Sequence, residues 1–204
     1  GSYSTVWASS SPPQTMLEIL SYLASALPIP AATEAAGKGM RLVLISSGAK
    51  LAKAAASPGA DPSSYNHISA VLTQSMEAAL STRDVNVMAN VAEGCARVCV
   101  QLKDSSQTKR ILTSCALPFL HQSRSSLDAI NNAASLQNGS GVAASQMEAA
   151  TQTLISCLGA LKQLIRFSDA SVGETHVLTD VLTAAWPVLK DISTNPNCRS
   201  EEVF

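Results

Sequence analysis

The chain has 204 residues, enough for one sizeable domain or for roughly three to five helical hairpins, and a core of that size needs neither disulfides nor metals. Hydrophobic residues make up 46% of it and aromatics only 4%, so its apolar mass is Ala, Leu and Val; that suits helix-on-helix packing and argues against a β-sandwich or barrel. Fourteen basic and fifteen acidic residues leave a net charge of -1, which gives no field to gather nucleic acid or an anionic membrane.

No apolar run reaches the roughly 18 to 20 residues of a bilayer span, and Gly1 to Ser11 lacks the basic start and apolar core of a signal peptide. The expectation is an intracellular protein in a reducing compartment, with its five cysteines serving as small buried hydrophobes. Gly1-Ser2 reads as a cloning scar, residues 1–11 as a disordered tag, and 12–204 as a helical region taken from a longer protein.

Ser9 to Pro13 is a helix start signal, and Met16, Leu17, Leu20, Leu23 and Leu27 keep helical spacing until Pro28-Ile29-Pro30. Ala35 to Ala56 places Met40, Val43, Leu44, Leu51 and Ala54 on one face, although Gly37, Gly39 and Gly48 cost about 1 kcal/mol each relative to Ala. Asp61-Pro62 offers an N-cap followed by proline at the first helical position, opening a third helix that runs to Leu80. Asp84 caps a fourth, with Met88, Val91, Cys95, Val98 and Leu102 as a continuous apolar seam. Ile111 to Leu120 is a fifth, with Pro118 as a kink or terminator, and Leu127 to Leu136 a short extension.

Leu136 to Val142 is a polar break, the most loop-like stretch of the chain. Met147, Ala150, Leu154, Leu158, Leu161 and Ile165 then mark a helix, and Ser168 to Gly173 a loop. In the last complete helix Leu178, Val181, Leu182, Ala185, Leu189 and Ile192 form the seam around Pro187, before a turn at Thr194 to Cys198. About eight helices and no strand make an all-α chain, and hairpins recurring every 40 to 47 residues or so, with an irregular period, point to a superhelix of HEAT-like antiparallel pairs.

The stretch Ala184-Ala-Trp-Pro-Val-Leu-Lys-Asp-Ile192 resembles a helix of the importin-β superfamily of nuclear transport receptors, in the branch containing transportin-SR and importin thirteen. Leu158 to Phe167 with the polar loop through Gly173 to His176 is similar in order and spacing to the preceding helix, and Val91 to Val98 with Ile111 to Leu120 to the hairpin before it. The resemblance covers Asp84 to Ile192, and the Gly/Ser/Ala-rich insert around Asn138 to Ser145 departs from it. It implies a HEAT solenoid that binds protein cargo, answers to the GTPase Ran and shuttles between cytoplasm and nucleus. Ran contacts fall in the family's N-terminal repeats, so no Ran residue is assigned here, and no cargo residue either. The alternative is an Ala-rich closed bundle of a cytoskeletal adaptor, of the talin or vinculin type.

The candidate sites are few. Cys95 and Cys99 lie at i, i+4, a spacing for two metal ligands, but no further pair or nearby histidine completes a set, so they read as core. His67, His121 and His176 are scattered, no Gly-x-Ser-x-Gly elbow exists, and Gly37-Lys38-Gly39 is not a Walker A loop; the expectation is no enzyme and no cofactor. Asn138-Gly139-Ser140 fits a glycosylation sequon and reads as a loop. Trp186 is either an exposed anchor for a partner or, on the usual burial of Trp, packed between hairpins. Lys103, Lys109 and Arg110 form a small basic cluster, either a contact for an acidic protein partner or a solvated turn.

Overall fold

The computed structural model describes residues 13–55, 57, 63–102, 104–136, 141–168 and 177–198. Among them there are seven α-helices, one 3-10 turn and no strand: α1 Pro13–Ala26, α2 Thr33–Ala55, α3 Ser63–Thr82, α4 Val85–Cys99, α5 Ser105–Ser135, α6 Gly141–Ser168, α7 Thr179–Thr194 and the turn Pro196–Cys198. The all-α expectation is met. The Asp61-Pro62 cap, residues 1–11 and the Asn138 sequon lie outside the described residues.

Local signals account for most boundaries. Asp84 caps α4 as expected, its Oδ1 accepting from the N–H groups of Asn86 at 2.8 Å and Val87 at 3.0 Å. Arg83 reaches this cap through a positive φ of 56°, a sharp reversal between α3 and α4. Asp104 does the same for α5, accepting from the Gln107 N–H at 3.0 Å. Thr33 closes the α1–α2 turn by donating to the carbonyls of Leu27 and Ile29, both at 2.8 Å.

Several boundaries differ from the sequence reading, among them the start of α5 at Ser105 and the end of α6 at Ser168. Pro118 neither ends nor divides its helix: α5 is one element of 31 residues that absorbs the expected extension. Only one N–H is lost at Pro118, while Phe119, Leu120, Leu127 and Ile130 continue a buried stripe through it, and packing of that stripe outweighs the local defect. Gly141 and Val142, expected in the polar break, already belong to α6.

The packing order is regular. Every extensive helix–helix contact joins helices that are adjacent or next-but-one along the chain. Helix α4 lies against α2 on one side and α6 on the other, and α5 likewise between α3 and α7, while α1 touches α2 and α3. Next-but-one neighbours run in the same direction: Gly37 faces Val87 and Gly48 faces Val98 across α2 and α4. Adjacent helices run opposite ways, as where Cys95 of α4 meets Leu72 of α3.

The central helix is α4, buried on all sides from Val91 to Ala96. Its seam of Met88, Val91, Cys95 and Val98 is buried as its spacing predicts, inside a core that runs from Leu20 in α1 to Ala185 in α7; Leu102, expected on the same seam, is buried just beyond the end of the helix. A smaller core of Leu127, Ile130, Leu154, Val188, Ile192 and Cys198 closes the far end. The α2–α4 interface is close because glycines alternate across it. A Cβ on Gly94 would sit 2.7 Å from Leu44 Cδ1 and 3.3 Å from the Arg41 Cα, and one on Gly48 would sit 3.0 Å from Val98. The glycines that weaken α2 as an isolated helix are the seats of its partner's side chains.

Helix α7 corrects the sequence reading. Its buried positions are Val181, Ala185, Val188 and Ile192, whereas Leu182, Trp186 and Leu189 form an exposed flank, Trp186 at 65%. In a helix whose apolar residues cover more than half its circumference, spacing alone does not tell which stripe is inside.

Candidate functional site

Three features merit description as sites: a groove, an ion cluster and a group of thiols. The groove lies between α3 and α5. It encloses about 720 Å³ and is lined by Asn66, Ser69, Ala70, Thr73, Gln74 and Glu77 from α3, and by Arg110, Ser114, Leu117, Pro118 and His121 from α5. At one end the Arg110 Nη2 donates to Asn66 Oδ1 at 2.6 Å, 44 positions away in sequence. At the other end Glu77 and His121, both exposed, stand on facing helices. The middle is small or hydroxylated on the α3 side and apolar on the α5 side, where Leu117 is 38% exposed.

The basic residues anticipated from sequence are separated by the fold. Lys109 turns away from Arg110 and pairs with Asp180 of α7 at 3.8 Å, while Arg110 opens onto the groove beside α3. Lys103 lies outside the described residues.

The ion cluster spans three same-direction helices. The Arg41 guanidinium of α2 grips Glu93 of α4 with two bonds, Nε to Oε2 at 2.6 Å and Nη2 to Oε1 at 2.8 Å. Arg97, one turn on, donates to the same carboxylate at 2.9 Å and lies 4.5 Å over the Phe167 ring of α6. Arg166 flanks that ring at 5.4 Å. Burial works to raise the Glu93 pKa, but the hydrogen bonds from Arg41 and Arg97 outweigh it and hold the carboxyl below its usual range. The bond to Glu93 likewise raises Arg41. This is a clamp joining α2, α4 and α6.

The thiols are core, as expected, with a third member that helix spacing does not bring in. Cys95, Cys99 and Cys115 are all 0% exposed at the α4–α5 contact. Hydrogen bonding with Cys115, and then full burial, pushes the Cys95 and Cys99 thiols well above their ordinary range. Burial likewise pushes Cys157 up to about 12. Cys95, Cys99 and Cys157 are therefore protonated, while the hydrogen bonds that Cys95 and Cys99 direct at Cys115 lower its pKa against the opposing pull of burial. Among the described residues no group of three or more His, Cys, Asp or Glu side chains is arranged to hold a metal, and no helix is long and apolar enough to cross a membrane. His67 and His121 are exposed, and His176 lies outside the described residues.

No protein-family model matches the chain, and no curated protein and no solved structure is significantly similar to it.

Proposed function

We propose that this chain is a protein-binding segment of an open helical-repeat array, stacked as HEAT-like antiparallel pairs. The observation that carries the reading is the contact order: extensive contacts stop at next-but-one helices, so α1 and α2 do not fold back on α6 and α7. A closed adaptor bundle would bring its first and last helices around one shared core. The two rows are also unequal. The α2–α4 and α4–α6 contacts are more extensive than α3–α5 and α5–α7, which suits an array curving with its even-numbered helices inside. Pairs α1–α2, α3–α4 and α5–α6 then serve as the repeats, with α7 opening a fourth.

The more specific part of the proposal is transport: cargo binding in a Ran-regulated receptor that moves between cytoplasm and nucleus. It is supported by the sequence resemblance across Asp84 to Ile192. In such a receptor this segment takes part through cargo, with Ran engaged elsewhere. Small-angle scattering tests the architecture, since a closed bundle of this length has a radius of gyration of about 17 Å and an open stack a clearly larger one. A value at the compact limit removes the array. Proximity labelling of the protein in cells tests transport: locking Ran in its GTP form should change the captured set of proteins, and an unchanged set removes the transport part.

A further inference from the structure

We infer that the α3–α5 groove holds an extended segment of a partner protein that carries an acidic side chain at one end and a basic one at the other. The inference deepens the protein-binding reading above and depends on it for the source of the ligand.

Three properties of the groove point to this occupant. The first is its polarity. Because α3 and α5 run in the same direction, the groove is a straight channel from Arg110 to Glu77, and among the described residues neither has an ion-pair partner: Arg110 meets only the neutral Asn66 amide. A positive end and a negative end, both uncompensated, match a ligand of opposite polarity. A free anion would use one end only, and nucleic acid would meet Glu77 with like charge.

The second is its length. Asn66 to Glu77 spans about 16 Å at 1.5 Å per helical residue, which an extended strand covers with about five residues at ~3.3 Å each.

The third is a missing helical donor. Pro118 has no N–H to give the Ser114 carbonyl one helical turn before it, and both residues line the groove. A peptide N–H in the channel supplies the missing donor, while Leu117 beside it gives an apolar contact for a side chain.

Anisotropy of end-labelled peptides with the intact chain tests the inference. Two peptides of about seven residues share an alanine-serine middle, one with aspartate first and lysine last, the other reversed. One of the two should bind saturably and the other weaker. Arg110→Glu or Glu77→Lys should each weaken the binder by about tenfold, and the double variant should exchange the preference between peptides. Both side chains are at the surface, so circular dichroism should show unchanged helix content. Pro118→Ala, which returns a donor to Ser114, should weaken binding about threefold while raising the melting temperature; equal affinity overturns the role of that carbonyl. The inference is overturned if neither peptide binds, if Arg110→Glu leaves binding unchanged, or if sedimentation shows a dimer that Arg110→Glu dissolves, because the occupant is then a second copy. Scattering on the same samples keeps the two readings apart: a compact particle that still binds the peptide sinks the array and leaves the groove standing, and an extended one that does not bind sinks the groove alone.

Discussion

Helices α2 and α4 stand to each other as α3 and α5 do, side by side and in the same direction, yet the first pair is sealed and the second is parted. Across α2–α4, Gly37, Gly48 and Gly94 let Val87, Val98 and Leu44 reach the opposite backbone, and Arg41 closes the rim on Glu93. Across α3–α5, Ser69, Thr73 and Ser114 stand where an apolar array would place packing residues, and the rim is left to Arg110, Glu77 and His121. One kind of neighbour relation thus yields a rigid spine or an open channel according to which side chains line it. Close packing is concentrated in the first interface, and the second leaves an open groove.

Substitutions should separate the two. The largest effect belongs to Gly94→Val, which forces a branched side chain into the Leu44 and Arg41 contact; we expect a loss of about 3 kcal/mol in a urea titration, and a loss under 1 kcal/mol would mean that the interface can part. Glu93→Ala comes next. It leaves Arg41 half-buried without its partner, and because that guanidinium is still partly solvated the expected loss is about 2 kcal/mol, read as a lower urea midpoint at unchanged slope.

The same residue sets an acid limit. With its folded pKa depressed, Glu93 stabilises fully above its unfolded value of about 4.3, and its contribution fades as pH falls through the depressed value. Wild type and Glu93→Gln should therefore converge in stability towards pH 2 and diverge above pH 5 or so; a constant difference would show that the ionised carboxylate is not the stabilising form.

In the parted interface the signs reverse or vanish. Pro118→Ala should stabilise the fold by about 1 kcal/mol, since it restores one helical bond within α5, and a calorimetric melt that falls instead would show that the proline itself is required for packing. Lys109→Ala, which deletes a partly exposed pair with Asp180, should move stability by less than about 0.5 kcal/mol. A larger effect would make α7 depend on that contact.

What could be read in the sequence follows the same division. The seam of α4 is legible because its residues are apolar at unbroken helical spacing and every one within the helix is buried, and Asp84 is legible because capping needs one side chain and the backbone that follows it. The groove was half legible: Arg110 stood out as a charge, but its partner Asn66 lies 44 positions back and enters only through the fold. Arg41 and Glu93 are likewise joined across 52 positions, and neither residue marks itself as paired in one dimension. Helix α7 was misread because Leu182 and Leu189 are as apolar as Val181 and Val188, so the choice between two greasy stripes fell to which one α5 covers. Of the two readings of Pro118, the terminator fails because long-range packing carries the helix through it.

Cys95, Cys99, Cys115, Cys157 and Cys198 are all buried, so the native surface offers no sulfur to a thiol-modifying dye. The unmodified chain is therefore its own clock for opening: the order in which mass spectrometry finds its cysteines alkylated reports which interface breathes first. The same silence makes one cysteine introduced at an exposed position a single-point attachment for a spin or fluorescent reporter, without first stripping the native ones from the core.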